Sequence, residues 1–113
     1  MTSRVLARSE WHSFFERVAK ALQGKRADVE VTGIHLGDQI QAKSVPLLGI
    51  TFDQKDDLLE IAMEGLDHLI HKPTSIAVLE GPDGLSALEI VDADQNRQIV
   101  TLVSPVCLPP PGA

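Results

Sequence analysis

The sequence predicts an α+β fold: an N-terminal amphipathic helix packed on a curled antiparallel sheet of about six or seven strands, with partial closure into a barrel left open. Three observations carry that expectation. Apolar residues near the start recur at steps of three and four, the period of one helix face. After Gly24 the period drops to two and stays there in short runs. Polar or glycine-bearing breaks separate those runs every 8–15 residues or about that, which suits a meander of hairpins rather than βαβ units.

The helix is expected over 9–23. Ser9 is a good N-cap, and Glu10 suits the positive end of the dipole. Trp11, Phe14, Phe15, Val18, Ala19 and Leu22 make one apolar face. Gly24 offers a stop, and Lys20, Lys25 and Arg26 suit the negative end. The chain holds one Trp, three Phe and no Tyr. Three of those four aromatics lie on this face, so the helix is expected to plug the core.

Strands follow across 28–103. Val29 and Val31 alternate with polar residues. Ile34 and Leu36 resume on the other parity, and a parity switch at Gly33 suggests a β-bulge. Gly37-Asp38 then reads as a hairpin turn into 39–45. Leu48, Ile50 and Phe52 alternate next, then Leu59, Ile61 and Met63 beyond the turn at 53–56. Residues 65–72 fit a helical turn through Leu66, Leu69 and Ile70, or a strand leading into Pro73. The proline favours an extended Lys72 and tips the reading toward strand from His68 onward. Residues 76–80 and 85–91 flank the turn 81–84, and 92–97 is a polar turn before 98–103. The tail 104–113 carries Pro105, Pro109, Pro110 and Pro111 and is expected to run extended, outside any sheet interior.

The chain has 113 residues, 43% hydrophobic and 23% charged, and is expected to form a single domain over 1–113. No apolar run has the length of a membrane span, and the start lacks a signal-peptide core. One cysteine, Cys107, leaves no intrachain disulfide and fits a reducing compartment, so a cytoplasmic location is expected. The formal charge of −6 repels polyanions, and no basic stripe interleaved with aromatics offsets it. Neither nucleic acid nor a membrane is an expected partner.

Four segments occur in one order: Trp11-His12-Ser13-Phe14-Phe15, Pro46-Leu47-Leu48-Gly49-Ile50, Asp67-His68-Leu69-Ile70-His71-Lys72-Pro73, and the run from Gly84-Leu85-Ser86 to Val91-Asp92-Ala93-Asp94. The set resembles an uncharacterised family of small bacterial proteins, a domain of unknown function, over residues 9 to 108 or so. That resemblance implies a bacterial domain and transfers no activity, ligand or site residue. The helix-then-meander order also looks like the Sm-like small barrels, which would imply RNA binding. The acidic charge opposes carrying that function over.

Several residue sets invite a chemical reading. His68-x-x-His71 could share a metal if both lay on one helix face, with Asp67 or His35 completing the shell. On a strand the two would point to opposite faces. Asp92-x-Asp94-x-Asn96 imitates a calcium loop, but Arg97 stands where glycine is needed and Val103 where a glutamate is needed. A hairpin turn capped by Asp and Asn is the better reading. Asp53, Asp56, Asp57 and Glu60 form an acidic group that reads as a solvated turn. Cys107 has no sequence neighbour that would make a thiolate. Neither a phosphate loop nor a nucleophile elbow is present in the sequence.

No catalytic residue or cofactor is expected, and the balance points away from an enzyme. The leading expectation is a non-catalytic interaction or assembly module that forms a homodimer. The alternatives are a metal site at His68 and His71, with His35, and a small-ligand carrier whose pocket between helix and sheet is lined by Trp11, Phe15 and Phe52.

Overall fold

The computed structural model of the chain describes residues 2–108. Pro109, Pro110 and Pro111 of the expected extended tail lie outside the described residues. Strand β1 (Thr2–Val5) leads through a 3-10 turn (Arg8–Glu10) into the helix α1 (Trp11–Leu22). Seven strands follow: β2 (Arg26–Gly33), β3 (Gly37–Asp53), β4 (Leu58–Met63), β5 (Leu66–His71), β6 (Ser75–Gly81), β7 (Gly84–Val91) and β8 (Arg97–Val106). All neighbours are antiparallel, in the order β1-β6-β7-β8-β2-β3-β4-β5.

The helix on an antiparallel sheet is as expected, but the sheet is not. Among the described residues it has eight strands rather than six or seven, and it is open rather than a curled, partly closed barrel. Closure requires the end strands to share a ladder. Among the described residues β1 pairs with β6 alone and β5 with β4 alone. The added strand is β1, for which the sequence shows no alternation. β1 gains its strand character by lying against β6, with Thr2 opposite Glu80 and Val5 opposite Ala77.

The helix forms where the aromatic face predicts it. Ser9 is not its cap. The backbone N–H of Ala7 instead donates to Glu10 Oε1 at 2.9 Å, which fixes the 3-10 turn in front of Trp11. The buried face of α1 comprises Trp11, Phe14, Phe15, Val18 and Leu22. It packs on β3, where Trp11 meets Phe52 edge to face at 5.3 Å between ring centroids. These residues join one cluster with Val29, Ile61, Ile76, Leu88 and Val100 from the sheet.

The parity switch near Gly33 is a turn rather than a bulge. Gly33 pairs with Gly37, so 34–36 is a three-residue hairpin loop, and Ile34 at its tip is 94% exposed. Gly37 has φ +67, the left-handed residue that such loops require. β3 is one long strand where the alternation suggested two. Its first half borders β2, and from Leu47 onward it borders β4. The handover falls between Pro46 and Leu47, just past Ser44, whose φ is +52. The Asp28 carboxylate accepts the Ser44 N–H at 2.6 Å, and Arg26 donates to the Ser44 carbonyl at 2.6 Å. Those bonds hold a residue that would otherwise avoid the left-handed region.

Pro105 lies inside β8, which runs past 103 to Val106. It is accommodated because the β7–β8 register slips between Leu85, opposite Val106, and Ala87, opposite Thr101. Proline in a strand needs such an irregularity, since it cannot donate to the ladder.

Candidate functional site

Residues 65–72 belong to the β4–β5 hairpin, as part of its turn and its second strand, rather than to a helical turn. Met63 pairs with Leu66 across the turn Glu64-Gly65, and Gly65 has φ +77. Leu66, His68 and Ile70 lie on one face of β5, and Asp67, Leu69 and His71 on the other. His68 and Ile70 turn toward the interior, and His71 is exposed. The two histidines therefore point to opposite faces. His35 sits in the loop between β2 and β3. Among the described residues no three His, Cys, Asp or Glu side chains gather as a metal site would require.

His68 instead joins a polar chain. Its Nε2 lies 2.8 Å from Gln98 Oε1, and Gln98 Nε2 donates to Asp92 Oδ2 at 2.9 Å. Gln98 is buried, at 6% exposure. Since its amide nitrogen serves Asp92, its oxygen is the acceptor and His68 Nε2 carries the proton. Asp92 Oδ1 accepts the backbone N–H groups of Asp94 and Asn96 at 2.9 and 3.0 Å. The calcium-like run is thus an Asx-type turn whose second carboxylate oxygen anchors the core glutamine.

The acidic group divides among separate tasks. Asp53 Oδ1 accepts from the backbone of Lys55 and Asp56. Asp57 pairs with Arg8 at 2.7 Å. The Arg8 guanidinium also sits 4.6 Å from the Trp11 ring and donates to the Pro73 carbonyl. Glu60 lies on β4 beside Asp67 of β5. A hydrogen bond with Asp67, then charge repulsion from it, then desolvation raise the Glu60 pKa above the ordinary carboxylate value. Glu30 is raised likewise, first by its hydrogen bond with Asp38, then by desolvation and by repulsion. Cys107 is a free, exposed thiol whose Sγ faces the Asp83 carbonyl at 3.7 Å.

Trp11, Phe15 and Phe52 are all nearly fully buried and fill the space between α1 and β3. The groove that remains at that seam measures about 200 Å³. Phe15 and Phe52 reach its wall, with His12 and Glu16 near its rim. Trp11 does not line it. Its indole packs behind Phe52 and donates to the Leu6 carbonyl at 3.4 Å.

The feature that sequence reasoning missed is the state of the sheet edges. The Lys72 N–H donates to the Asp57 carbonyl at 2.8 Å, two residues beyond the Leu59–Ile70 pair. Ladder bonds alternate along an antiparallel strand, so Ile70, His68 and Leu66 also turn their N–H and C=O groups to β4. Asp67, Leu69 and His71 turn theirs away from it. Only the hairpin register reveals this.

No helix among the described residues is long and apolar enough to cross a membrane. No solved structure matches the chain. A protein of Aquifex aeolicus (strain VF5) bearing the name "Uncharacterized protein" is 33% identical over 110 residues, which cover 96% of this chain and 99% of that one. A family model described as "Family of unknown function (DUF5335)" matches residues 2–111. This chain therefore belongs to DUF5335, an uncharacterised family with a bacterial member.

Proposed function

We propose that the protein is a small cytoplasmic, non-catalytic interaction module that works as a homodimer. The observation that carries this reading is the open sheet: β5, at one end of the strand order, turns a row of main-chain groups away from β4, its one neighbour among the described residues. An unpaired edge is a template for a further strand, and a two-fold partner is the commonest way to occupy it. The site geometry is in keeping. The conspicuous polar network, His68–Gln98–Asp92, has its hydrogen-bonding capacity taken up in holding strands and a turn. The net charge of −6 weighs against a polyanionic partner, and the free Cys107 suits a reducing compartment. Native mass spectrometry of untagged protein tests the proposal. A dimer without added mass supports it, and a monomer at every concentration refutes it.

A second reading, a small-ligand carrier, rests on the groove between α1 and β3. At about 200 Å³ it is smaller than the ~300–1,000 Å³ of ordinary ligand pockets. Trp11 lies behind Phe52, so its fluorescence would report a ligand that displaced the Phe52 ring. A bound metabolite found in the mass spectrum would favour this reading over the first.

A further inference from the structure

We infer that the second copy docks along β5, as a two-fold antiparallel strand pair in which Leu69 faces Leu69 and Asp67 faces His71 of the second copy. This rests on the self-association proposed above and specifies its interface. The main-chain groups set the register. Only Asp67, Leu69 and His71 direct N–H and C=O groups outward, so a ladder must pair these residues with one another. The antiparallel register that uses all three is centred on Leu69. It supplies about six main-chain bonds, two for each facing pair.

Side chains agree with that register. Asp67, Leu69 and His71 share the exposed face of β5, and Leu69 is 44% exposed. Centring on Leu69 brings two exposed leucines together and sets a carboxylate opposite an imidazole on each side of the axis. Cross-strand pairs of these kinds stabilise a sheet. Asp67 already crowds Glu60, and no cation lies within ion-pair distance of either among the described residues. The imidazole of the second copy would meet that acidic pair.

The other open edges are poorer candidates. β1 is four residues long, and its Arg4 pairs with Glu80 and Glu10. The first half of β3, which among the described residues borders β2 alone, carries Lys43 and the Ser44 kink. Short length, charge and bulges are the devices that keep edges from pairing. β5 has no Lys, Arg or Pro between Leu66 and His71. A symmetric β5 pair also closes on itself, so it stops at two copies.

The test uses the full chain. In a Cys107→Ser background, Leu69→Cys places two thiols at the axis, where facing Cα atoms stand about 5.5 Å apart, within disulfide reach. Mild oxidation should convert this variant to a covalent dimer, while Val103→Cys, an exposed site on β8, should remain unlinked. His71→Asp should weaken self-association by about tenfold, and adding Asp67→His should restore it. A dimer that does not link through residue 69 and ignores both charge changes overturns this interface and leaves self-association standing. A monomer at all concentrations overturns both.

Discussion

His68 Nε2 and Gln98 Oε1 stand 2.8 Å apart, tying β5 to β8 although β4, β3 and β2 lie between them in the strand order. The bond gives the end strand a fixed anchor on its inner face while its outer edge stays open. Gln98 is the keystone, because it accepts from His68 and donates to Asp92 at once.

Replacing Gln98 with Ala should therefore strand two half-buried partners. The expected loss is about 1–3 kcal/mol of stability, read as a lower urea midpoint with an unchanged slope. The His68 ring should also lose its fixed tautomer, which nitrogen chemical shifts of the imidazole would register.

Gly84 has φ +111, and a Cβ there would run into the Val106 carbonyl. Both backbone conformation and space exclude a side chain. Gly84→Ala should cost more than about 1 kcal/mol in denaturant melts, whereas Gly81→Ala, where a Cβ meets open space, should cost less.

The Ser44 kink is held from outside by Asp28, whose carboxylate accepts the Ser44 N–H at 2.6 Å. Asp28→Ala should lower stability by about 1–2 kcal/mol. Ser44→Gly should relieve much of that loss in the double variant, since glycine takes the left-handed conformation without a Cβ penalty.

Glu60 has a pKa raised first by its hydrogen bond with Asp67. A carboxyl raised in the folded state contributes stability that is full below its unfolded value of 4.5 and is lost as pH rises through the folded value. Glu60→Gln should flatten the fall in stability on the alkaline side of pH 4.5. Thermal melts of both proteins from pH 4 to 7 check this, and a parallel fall in the two would refute it.

The parts legible in the sequence are those fixed by local pattern. The α1 face carries three of the four aromatics at helical spacing, and nothing else in the chain competes with that period. β1 was invisible because four residues with no alternation become a strand only by lying against β6. Leu66, Leu69 and Ile70 suit a helix as well as a strand, and the ladder with β4 decides between them. The open sheet was beyond reach for the same reason, since strand order is set by pairings distant in the chain. Of the candidate site, Trp11, Phe15 and Phe52 lie at the seam between helix and sheet, but Trp11 does not line the groove there. The burial of these rings as filling, and the link between His68 and a glutamine 30 residues away, depend on packing that no short motif encodes.

The most direct test of the account is backbone amide exchange along β5, compared in dilute and concentrated protein. The account predicts that the Asp67, Leu69 and His71 amides exchange freely when dilute and become protected on concentration, while those of Leu66, His68 and Ile70 are protected throughout. If Asp67, Leu69 and His71 exchange equally fast at every concentration, β5 takes no second copy and the central claim fails.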